Sequence, residues 1–185
     1  MISDIILASN SPRRKELLSK LTCNFSVIPA VSEERSDAKD PCIFVVELAK
    51  QKAREVFCSH PNSLVIGCDT VVDLNGRILG KPSDKKEAEN MLKSLSGQTH
   101  FVHTGACVLF AEKEISFCET TAVTFRKLTD EEIGRYVQSG APMDKAGAYG
   151  IQECGFVEKY SGSYDNVVGF PTERIAEILE NLYKG

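Results

Sequence analysis

Six consecutive residues, Ser9-Asn10-Ser11-Pro12-Arg13-Arg14, put two hydroxyls and two guanidiniums at one turn of the chain. An apolar run precedes them and a helical pattern follows. The start of a helix carries partial positive charge and unpaired N–H groups. Arginine adds a planar fork that matches phosphate oxygens. The segment is therefore a candidate phosphate cradle; the plainer reading is a capped surface helix with two solvated arginines. It is not a P-loop, since no Gly-x-x-x-x-Gly-Lys-Ser/Thr occurs in the sequence. Asp69 closes the apolar run Leu64-Val65-Ile66-Gly67-Cys68. A carboxylate at the end of a buried strand faces the crevice where open α/β sheets place ligands. There it can serve as a general base or a Mg2+ ligand, or merely shape a turn.

Other charged residues are candidates by position. Glu33 and Glu34 can supply a metal ligand, although adjacent glutamates are usually solvated. Lys52 follows Leu48 by four residues and Val45 by seven, so it borders the buried stripe of a predicted helix. It either snorkels outward or points into a polar cavity. Lys81 sits in the stiff turn Gly80-Lys81-Pro82. The segment Asp144-Lys145-Ala146-Gly147-Ala148-Tyr149-Gly150-Ile151-Gln152 is rich in small residues that let a backbone approach a ligand closely. His60, His100 and His103 have no metal-ligand spacing, and no Cys–His or Ser–His pair stands out.

The elements that would position these groups can be read from pattern. A strand is predicted over 5–9, then a helix capped by Ser11 with Pro12 in its first turn. A strand at 25–29 leads to a polar loop. An amphipathic helix follows over 43–58, then a strand over 64–69. Residues 71–79 read as a hairpin about Asn75-Gly76. Asp84 with Glu87 and Thr129 with Glu132 resemble capping boxes, for helices ending near Gly97 and Gly140. Strands are predicted over 101–110, 115–126, 155–160 and 164–169, and a helix over 172–183. Helices alternate with strands, several joined as hairpins, so the expected fold is α/β with a mixed sheet flanked by helices.

The bulk numbers fit one domain over residues 1–185. The hydrophobic fraction is 42%, the charged fraction 26% and the net charge -4. That balance disfavours a nucleic-acid partner, and no apolar stretch approaches the ~20 residues of a membrane span. Seven widely spaced cysteines, with no Cys-x-x-Cys pair, suggest reduced, mostly buried thiols and a cytoplasmic protein. The N-terminal stretch does not read as a secretory signal.

Four blocks carry a family resemblance: ILASNSPRRKELL at 6–18, GCDTVVDLNGRILGKP at 67–82, MLKSLSGQTHFVHTG at 91–105 and PMDKAGAYGIQ at 142–152. In order and spacing the chain resembles the Maf family of nucleotide pyrophosphatases, departing from it at 153–156. The resemblance implies a mixed sheet flanked by helices with a cleft between two lobes, like the inosine-triphosphate pyrophosphatase fold. It implies hydrolysis of a nucleoside triphosphate to the monophosphate and pyrophosphate, with Asp69 as the catalytic aspartate. Ser9, Ser11, Arg13 and Arg14 would bind phosphate, together with Lys52, Lys81, Asp144 and Lys145. Asp69 and Glu34 would hold a divalent cation, Mg2+ or Mn2+. Arg14 and Lys52 are expected to face the phosphates and not the core. Family members are often homodimers.

Three positions that track base choice in the family are Arg13, Thr70 and Gln152 here, the set of the dTTP/UTP type. The 7-methyl-GTP type carries Trp, Gln and Glu there, and this chain has no Trp. Two rival readings are a purine-directed pyrophosphatase and a non-catalytic nucleotide-binding regulator of division.

Overall fold

The computed structural model describes residues 4–184. In chain order the elements are β1 (Ile5–Leu7), α1 (Pro12–Ser19), β2 (Phe25–Val27), α2 (Pro41–Ser59), β3 (Leu64–Leu74), β4 (Arg77–Leu79) and α3 (Lys85–Leu95). Then come β5 (Thr99–Phe110), β6 (Lys113–Phe125), α4 (Asp130–Gln138), two short 3-10 helices (Ala141–Asp144 and Ala146–Ala148), β7 (Val157–Ser161), α5 (Tyr164–Val168) and α6 (Thr172–Lys184). Seven strands form one sheet in the order β2-β1-β3-β5-β6-β7, with β4 paired to β3. The sheet is mixed, as expected: β1 runs parallel to β2 and β3, while β4 and β7 run antiparallel to β3 and β6. By contacts the described residues form two compact units, one of 4–69, 104–119 and 169–184, the other of 70–103 and 120–168. Among the described residues no helix is long and apolar enough to cross a membrane.

In the first unit, α2 packs on the sheet through Val45, Leu48, Ala49, Ala53 and Val56, all buried. Ile6, Ala8, Val65, Cys107 and Leu109 meet this stripe. The approach is close because two strand residues lack a side chain. A methyl on Gly67 would strike the α2 backbone at Ala49 and Ala53, and one on Gly105 would strike it at Val45. α1 starts as anticipated, with the Arg14 N–H donating to the Ser11 hydroxyl at 3.4 Å and Pro12 in the first turn.

The second unit has its own core, built by Leu92, Leu95, Phe125, Ile133, Tyr149 and Phe156 with their neighbours. His100 belongs to it: fully buried, 4.9 Å edge-on from Phe125, its Nε2 2.8 Å from the Tyr149 hydroxyl. Burial alone pushes the imidazole down to about 4. Between that value and the ordinary 6.5, the unfolded chain takes up a proton that the folded chain refuses. Stability present at pH 7 is therefore lost as pH falls from 6.5 toward 4, by about 3 kcal/mol for this group. Urea unfolding of wild type and His100→Gln at pH 7 and pH 4.5 checks this. The variant should lose clearly less stability on acidification, and equal losses would exclude His100 as the source.

Three expectations need correction. Residues 71–79 form the expected hairpin, with Val72, Asp73 and Leu74 paired to Leu79, Ile78 and Arg77, but its first arm continues the strand from Leu64 as one β3 and does not begin a separate strand. Asp69 thus lies within an eleven-residue strand, not at its end. Residues 164–168 are helical, not extended: Ser163 caps the turn through the Asn166 N–H at 3.2 Å, and the buried Asn166 amide donates to the Val102 carbonyl. Cys42 and Cys118, 76 residues apart in sequence, are joined as a disulfide, so the thiols are not all reduced. Folding brings their Cα atoms to 5.5 Å, a proximity that sequence spacing does not reveal. Cys68, Cys107 and Cys154 are buried and free, as expected, whereas Cys23 and Cys58 are free and exposed.

The capping boxes divide. Thr129 and Glu132 complete both halves at the start of α4. Asp84 accepts from the Glu87 N–H, but the Glu87 carboxylate turns to the N–H and hydroxyl of Ser83.

Candidate active site

The first unit gathers half of the expected residues, Ser9, Ser11, Arg14, Glu34, Lys52 and Asp69, near the Cys68 carbonyl, one residue before Asp69. Arg14 reaches it with Nη1 at 2.8 Å, contacts the Ser9 hydroxyl with the same nitrogen at 3.3 Å, and donates from Nε to the Gly169 carbonyl at 2.8 Å. Ser9 also accepts from the Ser11 N–H at 3.2 Å. From α2, Lys52 Nζ approaches the Cys68 carbonyl at 3.4 Å and Asp69 Oδ1 at 2.6 Å. The same ammonium meets Glu34 Oε2 at 2.9 Å. Of the two alternatives for Lys52, the structure has the inward one: its side chain is 11% exposed. Glu33 instead pairs with Arg35 at the surface, so the two adjacent glutamates separate in role.

Two cations and two carboxylates thus share a small region of the first unit. Arg14 has a structural part there. It closes hydrogen bonds to two backbone carbonyls, and its removal would leave both without that charged donor. Arg13 is half-buried. The Cys68 sulfur does not compete as a nucleophile, because burial pushes its thiol up to about 11.

The donor set fits a hard divalent cation. Carboxylate oxygens from Asp69 and Glu34 converge on one point, now held by the Lys52 ammonium, and Mg2+ and Mn2+ take oxygen ligands. The formal charges of Arg14, Lys52, Asp69 and Glu34 cancel.

In the second unit, Lys145 is buried with its Nζ donating to the Ala141 carbonyl at 2.6 Å and Asp144 Oδ1 at 2.8 Å. Glu153 Oε1 lies 3.0 Å from the same nitrogen. Tyr136 ties this group down, donating to Glu153 at 2.9 Å and accepting from the Gly150 N–H at 3.2 Å. The Gly147 N–H donates to the Gly80 carbonyl at 3.0 Å, which fixes the small-residue segment beside the turn that carries Lys81. Gly147 has φ of +64°, and a methyl there would press on Val72, so the need for glycine is steric as well as conformational. Gln152 and Lys81 are exposed and Thr70 is half-buried. Tyr136 and Glu153 were not singled out from sequence. No spacing rule marks them, because Glu153 meets Lys145, and Tyr136 meets Glu153, only through the tertiary fold.

The whole chain matches one fold. It aligns with the Ham1 protein of Staphylococcus aureus over 97% of this chain and 99% of that one, at a TM-score of 0.57 and 15% identity. The architecture is therefore an α/β fold of that type. Within it the chain belongs to the family of Maf-like proteins, whose pattern it matches over residues 4–182. It is 54% identical over 179 residues to a dTTP/UTP pyrophosphatase of Thermococcus gammatolerans, covering 95% of each chain. It is 49% identical over 181 residues to a dTTP/UTP pyrophosphatase of Bacillus mycoides, covering 96% of this chain and 95% of that one.

Proposed function

We propose that this protein hydrolyses dTTP and UTP to the monophosphate and pyrophosphate, a housekeeping role in the nucleotide pool. The observation that carries the reading is the convergence of Arg14, Lys52, Asp69 and Glu34 about the Cys68 carbonyl in a Maf-like chain. Asp69 and Glu34 would hold a divalent cation, which supplies positive charge against the phosphate oxygens. Lys52 keeps the two carboxylates together. Ser9, Ser11 and the start of α1 face phosphate with N–H and hydroxyl donors, and Arg13 and Arg14 add charge. A water adds to the α-phosphorus, the bond to the bridging oxygen breaks, and pyrophosphate leaves. Asp69 takes the proton of that water. Catalysis of this kind is mainly positioning and charge stabilisation.

For the base, Gln152 both donates and accepts, which suits the alternating carbonyl and N–H edge of uracil or thymine. With Arg13, Thr70 and Gln152 in place, no Trp is present to stack on a methylated purine. A pyrophosphate-release assay over dTTP, UTP, CTP, ITP and 7-methyl-GTP, with and without Mg2+, tests the proposal. The expected result is turnover only with metal, with kcat/KM highest for dTTP and UTP. A higher value for 7-methyl-GTP than for both would overturn the specificity. Full activity after exhaustive chelation would remove the metal.

A further inference from the structure

Residues 31–36 contain no regular secondary structure, yet they deliver Glu34 to Lys52. Their polar groups are met by one stripe of α2. Glu47, Gln51 and Glu55 are spaced four apart and so share a face of that helix. Glu55 accepts from the Val31 N–H at 2.7 Å and the Ser32 N–H at 3.2 Å. Gln51 grips the backbone of Arg35 in both directions, accepting from its N–H at 3.1 Å and donating to its carbonyl at 2.6 Å. Glu47 accepts from the Ser36 hydroxyl at 2.6 Å. Glu34 lies between the Glu55 and Gln51 attachments, and Lys52 follows Gln51 directly in the helix.

We propose that Glu47, Gln51 and Glu55 form a clasp that sets Glu34 against Lys52 and Asp69, and that Gln51 is a positioning residue for divalent-cation binding. The cation role rests on the proposed function, whereas the clasp itself rests on the hydrogen bonds alone. An exposed loop with no ladder of its own would otherwise sample many conformations, and a carboxylate on it would bind a cation weakly. Gln51 is the informative position, because its amide supplies both a donor and an acceptor to the backbone of one residue, Arg35, and is itself neither proposed cation ligand.

The test is Mn2+ binding to the nucleotide-free protein by titration calorimetry, in a double-mutant cycle of Gln51→Met and Glu34→Ala. Gln51→Met is expected to weaken binding about three- to tenfold, the scale of one or two lost hydrogen bonds. In the Glu34→Ala background the same change should have no further effect. Additive effects, or no effect of Gln51→Met alone beside a clear one from Glu34→Ala, would overturn the proposal. If Glu34→Ala leaves Mn2+ affinity untouched, it is the metal role of Glu34 that fails. The clasp is then judged by rapid hydrogen exchange, which Gln51→Met must accelerate at the Arg35 amide. Unchanged exchange there sinks it.

Discussion

Asp69→Asn is expected to lower kcat by roughly 10²–10⁴-fold, the usual cost of losing a general base, while triphosphate binding survives. The carboxylate sits 2.6 Å from Lys52, inside β3 and next to the carbonyl that anchors Arg14. Asn keeps the shape and one oxygen but loses the charge and the capacity to take a proton. The groups of α1 proposed to face phosphate are untouched, so nucleotide affinity should change far less than turnover. Steady-state kinetics with a parallel binding measurement decides it. Retention of more than about a third of wild-type kcat would put the loss well below that range and end the catalytic assignment.

Lys52→Met should impair both activity and stability. The ammonium holds Asp69 Oδ1, Glu34 Oε2 and the Cys68 carbonyl at once. Without it, the two carboxylates lose the ammonium they share. Breaking a fully buried ion pair costs roughly 3–5 kcal/mol. Here Glu34 is 35% exposed, so solvent screens part of the effect and about 2 kcal/mol is the scale. The kcat/KM for the preferred triphosphate should fall about 10²-fold, as for removal of one charge-stabilising donor. Thermal unfolding and kinetics are measured together, with Lys52→Arg as the charge-preserving control. Unchanged values in both would leave Lys52 with neither a structural nor a catalytic part.

Several elements were legible in the sequence because their signals are local. The Ser11-Pro12 start of α1 and the Thr129–Glu132 capping box depend on residues within one turn, and both form. The apolar face of α2 was readable by period, and with it the inward choice open to Lys52. The hairpin about Asn75-Gly76 was legible too and forms; what its pattern did not show is that its first arm and the strand at 64–69 are one continuous β3. Elsewhere non-local partners overrode the sequence pattern. Asn166-Val167-Val168 has β-branched residues typical of strands, yet Ser163 and a buried Asn166 draw that stretch into a helix. At the candidate site, Ser9 and Lys52 announced themselves by type and position and Asp69 by type, although it lies inside β3 and not at a strand end. Gln51 and Glu55 did not, since a polar stripe on a helix reads as a solvated face until a loop is seen to lie on it. Nor did the backbone acceptors of Arg14, because Gly169 is 155 residues away.

The bare strand positions at Gly67 and Gly105 make α2 a gauge block for the chemistry. Lys52 rides on that helix, and its reach to Asp69 and Glu34 is set by how far the helix backbone stands off the strands. A single added methyl at Gly67 would lift the helix at Ala49 and Ala53, the residue after Lys52. The tolerance of the site is thereby machined into a place with no functional group at all. Substitutions there would read out as faulty alignment of the ammonium before they read out as a damaged core.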